Sequence, residues 1–350
     1  MKKRILEGAV ALGLAAFAAA RALAQVECIV PTSQIFSGGP GKDGVPSLQH
    51  PLTVSASAAS AFLTTDALVL GVSINGESRA YPHNILWWHE IVNDELGGER
   101  ITVSYCPLTG SGMVYGPLED GRSLVFGVSG LLFENNLVLY DRPRESLWSQ
   151  MRVQAICGQY SETRPSLLPV VQSTWQAWRA LHPDTTVVGL DTGYRRNYDI
   201  YPYGTYDQLF DEKLLFPVSV LDTRLRKKEL VLGLEYEGVS RAYPYEGLED
   251  RALINDDVGG RPVLVVYDRE AKMAVAFDRQ VGDRRLSFVA ADASGFPFLF
   301  RDRETGSTWD LTGLAVAGEL SGARIEPVAT YSAMWFAWAV FHQGTQIFQP

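Results

Sequence analysis

Val69-Leu-Gly-Val-Ser-Ile-Asn-Gly-Glu-Ser-Arg-Ala-Tyr-Pro82 returns 162 residues later as Val231-Leu-Gly-Leu-Glu-Tyr-Glu-Gly-Val-Ser-Arg-Ala-Tyr-Pro244, with nine of fourteen positions identical and no gap. At the same offset Asn93-Asp94 and Gly97-Gly98 meet Asn255-Asp256 and Gly259-Gly260. Further on, Asp141-Arg142 and Trp148 match Asp302-Arg303 and Trp309, and Trp175, Trp178 and His182 match Trp335, Trp338 and His342. A period this long describes duplicated domains, since solenoid repeats run to a few tens of residues. The chain therefore divides into a first repeat at 66–190, a Tyr/Pro-rich connector at 191–227 and a second repeat at 228–350. An N-terminal arm at 25–65 precedes them.

Inside each copy the pattern is mostly strand. Runs of Val, Ile, Leu, Phe and Tyr at 69–74, 100–105, 123–128, 136–140 and 185–190 are bounded by Gly, Pro, Asn and Asp clusters, as strands separated by turns require. Ser173 and Ser332 are positioned to cap helices that carry the paired tryptophans, and the segment 84–94 reads as another short helix. Asn93-Asp94 with its double glycine reads as a turn. The expected class is a β-rich α+β fold, internally duplicated, with a few short helices and pseudo-twofold symmetry.

Composition agrees. In 350 residues, 46% are apolar, 20% charged and 11% aromatic, which is a packed globular chain rather than a disordered or fibrous one. Net charge is −9, without a long basic run, which argues against nucleic acid and anionic membrane as partners. The first 24 residues stand apart. Lys2, Lys3 and Arg4 precede an unbroken small or apolar run from Gly8 to Ala20, and Ala22-Leu23-Ala24 supplies a small-x-small cleavage pattern. This is the pattern of a secretory signal peptide cut after Ala24, and thirteen apolar residues are too few to span a bilayer. The expectation is a periplasmic or secreted protein with no membrane segment in its mature form. Of three cysteines, Cys28, Cys106 and Cys157, an oxidising compartment leaves at least one unpaired in a monomer.

Several stretches have unusual composition: Ser37-Gly-Gly-Pro-Gly-Lys-Asp-Gly-Val-Pro46, Trp88-His-Glu-Ile-Val-Asn-Asp94 and Tyr105-Cys-Pro-Leu-Thr-Gly-Ser111. Others are Phe126-Gly-Val-Ser-Gly130, Tyr140-Asp-Arg142 with Ser146-Leu-Trp-Ser-Gln150, and Tyr201-Pro-Tyr203. On these the chain resembles the bacterial family catalogued as domain of unknown function 3179, over almost all of its mature length. The resemblance implies an exported bacterial protein and names no activity. The Cys-Pro-Leu and His-Glu elements belong to the family pattern. Cys28 and Cys157 lie outside it, which implies that those two pair and leave Cys106 as the free thiol.

A duplicated chain carries its own control. Features in both copies, such as the paired tryptophans and His182/His342, are expected to serve packing and helix ends. Reactive residue types are concentrated in the first copy: His83 becomes Tyr245, His89 becomes Arg251, Glu90 becomes Ala252 and Cys106 becomes Asp268. Three readings follow. Cys106 and His89, with His83, Met113 or Glu90, suit a soft or borderline ion, copper or zinc. Alternatively His89 activates a Cys106 nucleophile, with Glu90 as the orienting acid and turn amides as an oxyanion hole. The third is a ligand-binding module using the cleft between copies. Against all three stands a buried Cys106 acting as a small hydrophobe, with His89 satisfied in the core. Whether the protein is an enzyme, and which metal, small molecule or protein it meets, is left open by the sequence.

Overall fold

The computed structural model describes residues 27–291 and 295–349, so the expected signal peptide at 1–24 lies outside the described residues. The fold is β-rich with a few short helices and several sheets. Among the described residues no helix is long and apolar enough to cross a membrane.

Each half of the chain runs through the same neighbour orders. In the first, the strands Val171–Thr174, Leu68–Ile74, Glu77–Pro82 and Thr186–Val188 lie side by side. In the second, Tyr331–Met334, Leu230–Tyr236, Val239–Pro244 and Gln346–Ile347 do so. A meander of Ile91–Leu96, Glu99–Cys106 and Ser111–Leu118 has its counterpart in Arg251–Val258, Arg261–Asp268 and Met273–Asp278. The halves are joined through sheet edges: Val171–Thr174 pairs with Met273–Asp278, giving one nine-stranded sheet. The arm contributes Ile35–Ser37 to the first-half sheet built on Phe126–Phe133.

The identical residues have physical reasons. Gly71 lies flat against the Trp178 ring, where a Cβ would come within 2.2 Å of ring carbon, and Gly233 meets Trp338 at 2.0 Å. Both indoles donate to a threonine seven residues on, Trp178 to Thr185 at 2.9 Å and Trp338 to Thr345 at 3.0 Å. Trp148 and Trp309 donate to Asp141 and Asp302 at 3.0 and 2.9 Å. Tyr81 and Arg79 share the Asp94 carboxylate, as Tyr243 and Arg241 share Asp256.

Four local expectations need correction. Thr174, not Ser173, caps the helix Trp175–Leu181, its hydroxyl accepting from Ala177 N–H at 3.3 Å. The second such helix, Trp335–Phe341, starts after Met334 without a side-chain cap, so Ser332 has no capping role; its residues from Trp335 to Val340 are buried. The helix expected over 84–94 is His83–His89, and Ile91–Leu96 is already strand. Asn93-Asp94 is therefore no turn. Asn93 is buried in the strand and exchanges both amide bonds with the Phe126 backbone at 2.8 Å, while Gly97 and Gly98 make the turn at φ 58° and 80°.

Candidate functional site

The site grows from the end of the helix His83–His89. Glu90 terminates that helix in the left-handed region, φ 56°, a conformation that costs energy for a residue with a Cβ and concentrates where structure over-determines it. The turn aims the Glu90 side chain inward, where it is buried. Its carboxyl is bonded by the Tyr203 hydroxyl. Burial outweighs that bond and pushes the Glu90 pKa up to about 8. At neutral pH this group is a carboxylic acid, a hydrogen-bond donor rather than an anion.

Cys106 ends the strand Glu99–Cys106 and opens the turn to Ser111–Leu118. It is the free cysteine, buried, since Cys28 and Cys157 are joined. Its sulfur faces the Thr109 hydroxyl and the backbone amides of Leu108 and Leu137, groups that stabilise a thiolate. Burial and the nearby Glu90 carboxyl act against them, and the thiol is pushed up to about 11. The turn beneath it is held by a buried polar network. Asn136 donates to Thr109 at 3.0 Å and to Gln150 at 2.7 Å, Ser111 donates to Gln150 at 2.7 Å, and Gln150 donates to Ser104 at 2.9 Å.

His89 does not join this pair. The Pro46 carbonyl, 2.7 Å from Nδ1, can only accept, so Nδ1 carries the ring proton. Burial pushes the His89 pKa down to about 4, so the ring is neutral and Nε2 accepts from the Tyr198 hydroxyl at 2.7 Å. Both nitrogens are occupied, and the expected His89–Cys106 dyad is not formed. His83 packs its ring on Tyr105, centroids 4.3 Å apart, with Nε2 buried and unpartnered, and desolvation lowers its pKa to about 3. Met113 is not in a ligand loop either. It lies buried on the strand Ser111–Leu118, its sulfur accepting from Tyr115 at 3.7 Å. Among the described residues no group of three or more His, Cys, Asp or Glu side chains is arranged to hold a metal ion.

A cavity of about 270 Å³ adjoins Glu90, which lies with Tyr203 on its polar side. Leu108, Val128, Leu132 and Phe216 are among its apolar walls. Tyr203 and Phe216 come from the connector, which roofs the site rather than spacing two domains. Tyr201 reinforces the roof, its ring set edge-on against Trp87 at 5.0 Å. Sequence reasoning misses Thr109 and Leu137 as site residues, and takes Tyr201 and Tyr203 with the other connector tyrosines as a candidate binding surface for an anion or glycan rather than as neighbours of Glu90. The aromatic density of the connector was the available signal. Lys42 and Asp43 of the arm pair with Glu145 and Arg142 on the first half.

A family model described as "Protein of unknown function (DUF3179)" matches residues 42–345. No curated protein and no solved structure matches the chain.

Proposed function

We propose, from the premise that this chain belongs to the DUF3179 family, that it binds a small, uncharged, mainly apolar molecule in the Glu90 cavity and offers it a proton. The observation that carries the reading is the buried Glu90 carboxyl, held in a left-handed turn at the edge of an apolar cavity and protonated at neutral pH. Such an acid donates a hydrogen bond to a carbonyl or ether oxygen and can deliver its proton as charge develops there. Infrared difference spectroscopy tests it: a protonated-carboxyl band should persist at pH 7, disappear on titration through about pH 8, and be missing from Glu90→Gln. A Glu90 already ionised at pH 6 defeats the reading.

Thiol chemistry at Cys106 is a second reading, favoured by the two amides and the hydroxyl that face its sulfur. In this reading Glu90 takes the role expected of His89. As sulfur adds to a polarised carbonyl carbon, one carboxyl oxygen receives the thiol proton while the other gives its proton to the carbonyl oxygen. The S–C bond forms, the C=O π bond becomes a hydroxyl, and Glu90 ends protonated.

We further infer that the halves descend from one duplicated unit and that the protein is exported. The matching sheet orders and the recurring Gly–Trp, Trp–Asp and Tyr–Asp contacts support the first inference. The Cys28–Cys157 disulfide, a bond of oxidising compartments, supports the second.

A further inference from the structure

The two halves also build a matched pair of surface pockets, and their difference singles one out. The first pocket, about 560 Å³, is floored by Gly71, Trp178 and His182 of the first half and closed by Thr312, Arg324 and Pro327 of the second. The other, about 300 Å³, reverses the roles: Gly233, Trp338 and His342 form the floor, and Arg152, Arg164 and Leu167 close it. In both, the histidine ends its helix and lies on the tryptophan ring, at 4.1 Å for His182 and 3.7 Å for His342.

The pockets part company in charge. Arg164 corresponds to Arg324, but Arg152 corresponds to Gly313, so only the smaller pocket holds two guanidiniums. Arg164 is braced by the Arg152 carbonyl at 2.9 Å and by Gln154 at 3.5 Å. The Arg152 guanidinium has no acidic or hydrogen-bonding partner among the described residues; partial desolvation, and then the like charge of Arg164, lower its pKa. The acid on the opposite wall, Glu235, is engaged by His342 at 3.0 Å, and the other ring nitrogen of His342 faces the Tyr331 hydroxyl at 2.9 Å. Two adjacent cations, one lacking a counter-charge, over an aromatic floor of Trp338 and Phe341 describe a place whose electrostatics an anion would relieve.

We propose that the Arg152–Arg164 pocket binds a small organic anion, its carboxylate or phosphate between the two guanidiniums and its apolar body on the Trp338 side. This reading is independent of the Glu90 cavity. It is tested by calorimetric titration of the full chain with benzoate and with phenyl phosphate, which separates the two headgroups, alongside Arg152→Ala, Arg164→Ala and Arg324→Ala. At least one probe should bind saturably, and either pocket variant should weaken it by about tenfold or more, the loss of one charge-assisted contact. Arg324→Ala should bind as the parent does, and all three variants should keep the parent's melting temperature, since these arginines lie at the surface. Absence of saturable binding for both probes overturns the proposal, as does an equal loss in Arg324→Ala, which would mean attraction to overall charge rather than to this pocket.

Discussion

The first-half site and the same place in the second half solve one structural problem in opposite ways. In the second half Asp268 stands where Cys106 does. It pairs with Arg251 at 3.1 Å and accepts from the Ala271 amide at 2.9 Å, while Arg251 lies over Phe298 at 4.2 Å. Tyr245 replaces His83, keeps its ring against Tyr267 and bonds Ser332 at 2.6 Å. Polar groups there answer one another. In the first half Glu90 is a buried acid beside a cavity, the His83 Nε2 is unpartnered and Cys106 is a buried free thiol. The second half has other residues at each of these positions. What the difference teaches is where to look for function.

The comparison breaks first if the scaffolds are not equivalent. Gly71→Ala and Gly233→Ala each drive a methyl into an indole ring that is locked by its own hydrogen bond. Overpacking of this kind costs about 1–3 kcal/mol, and these contacts belong at the upper end because the rings cannot retreat. Urea unfolding should show losses of similar size in both variants. A tolerated alanine in one half alone would mean that the halves are held together differently.

Glu90 sharpens the comparison through pH. Its folded pKa is raised from 4.5 to about 8, so below about pH 4.5 both states hold the proton and nothing is lost. Between those values the unfolded chain ionises and the folded one does not, so stability falls as pH rises, by on the order of a few kcal/mol in all, and then levels. His83 and His89, lowered to about 3 and about 4, act oppositely, costing stability as pH falls below about 6.5. The window from about 6.5 to 8 is where the Glu90 slope stands clear of theirs. Chemical denaturation across that window should show declining stability in the parent and a flatter profile in Glu90→Gln. An identical slope in the variant would remove Glu90 from its special place.

Much of this arrangement is legible in the sequence, and the limits are physical. The repeated Gly, Trp, Arg-Ala-Tyr and Asn-Asp positions are visible because each is tied to a partner that both halves retain. The asymmetry at Glu90 and Cys106 is visible because Ala252 and Asp268 stand at the corresponding positions of the second half. What local pattern does not carry is which neighbour a side chain will face. His89 adjoins Glu90 in sequence, yet the left-handed turn at Glu90 sends the two apart, one to Pro46 and Tyr198, the other to Tyr203. Nothing in the Tyr and Pro content of the connector says where it folds back.

A smaller effect is expected where the second half has its ion pair. Asp268→Ala removes one ion-pair contact of Arg251 and leaves Ala271 N–H without its acceptor, a change worth about 1–3 kcal/mol in thermal unfolding. Cys106→Ala at the equivalent place removes only a small buried group and should cost less. A larger loss at Cys106 than at Asp268 would mean that the thiol holds the first half together, and would weaken its reading as a functional group.

The smallest expected effect concerns which residue governs Cys106. The thiol is buried and pushed up to about 11, so iodoacetamide should label the native protein slowly at pH 7, far more slowly than a denatured control. His89→Ala breaks bonds to Pro46 and Tyr198 and should lower stability modestly, but those bonds do not reach the sulfur, so the labelling rate should hardly move. Glu90→Gln removes the carboxyl that raises the thiol, so labelling between about pH 8 and 9, where Glu90 is ionised, should become faster. Readings at matched denaturant-free conditions, with circular dichroism to show that each variant is folded, separate access from acidity. Should His89→Ala change the rate while Glu90→Gln does not, the pairing drawn here would be reversed, and the dyad expected from sequence alone would form in solution after all.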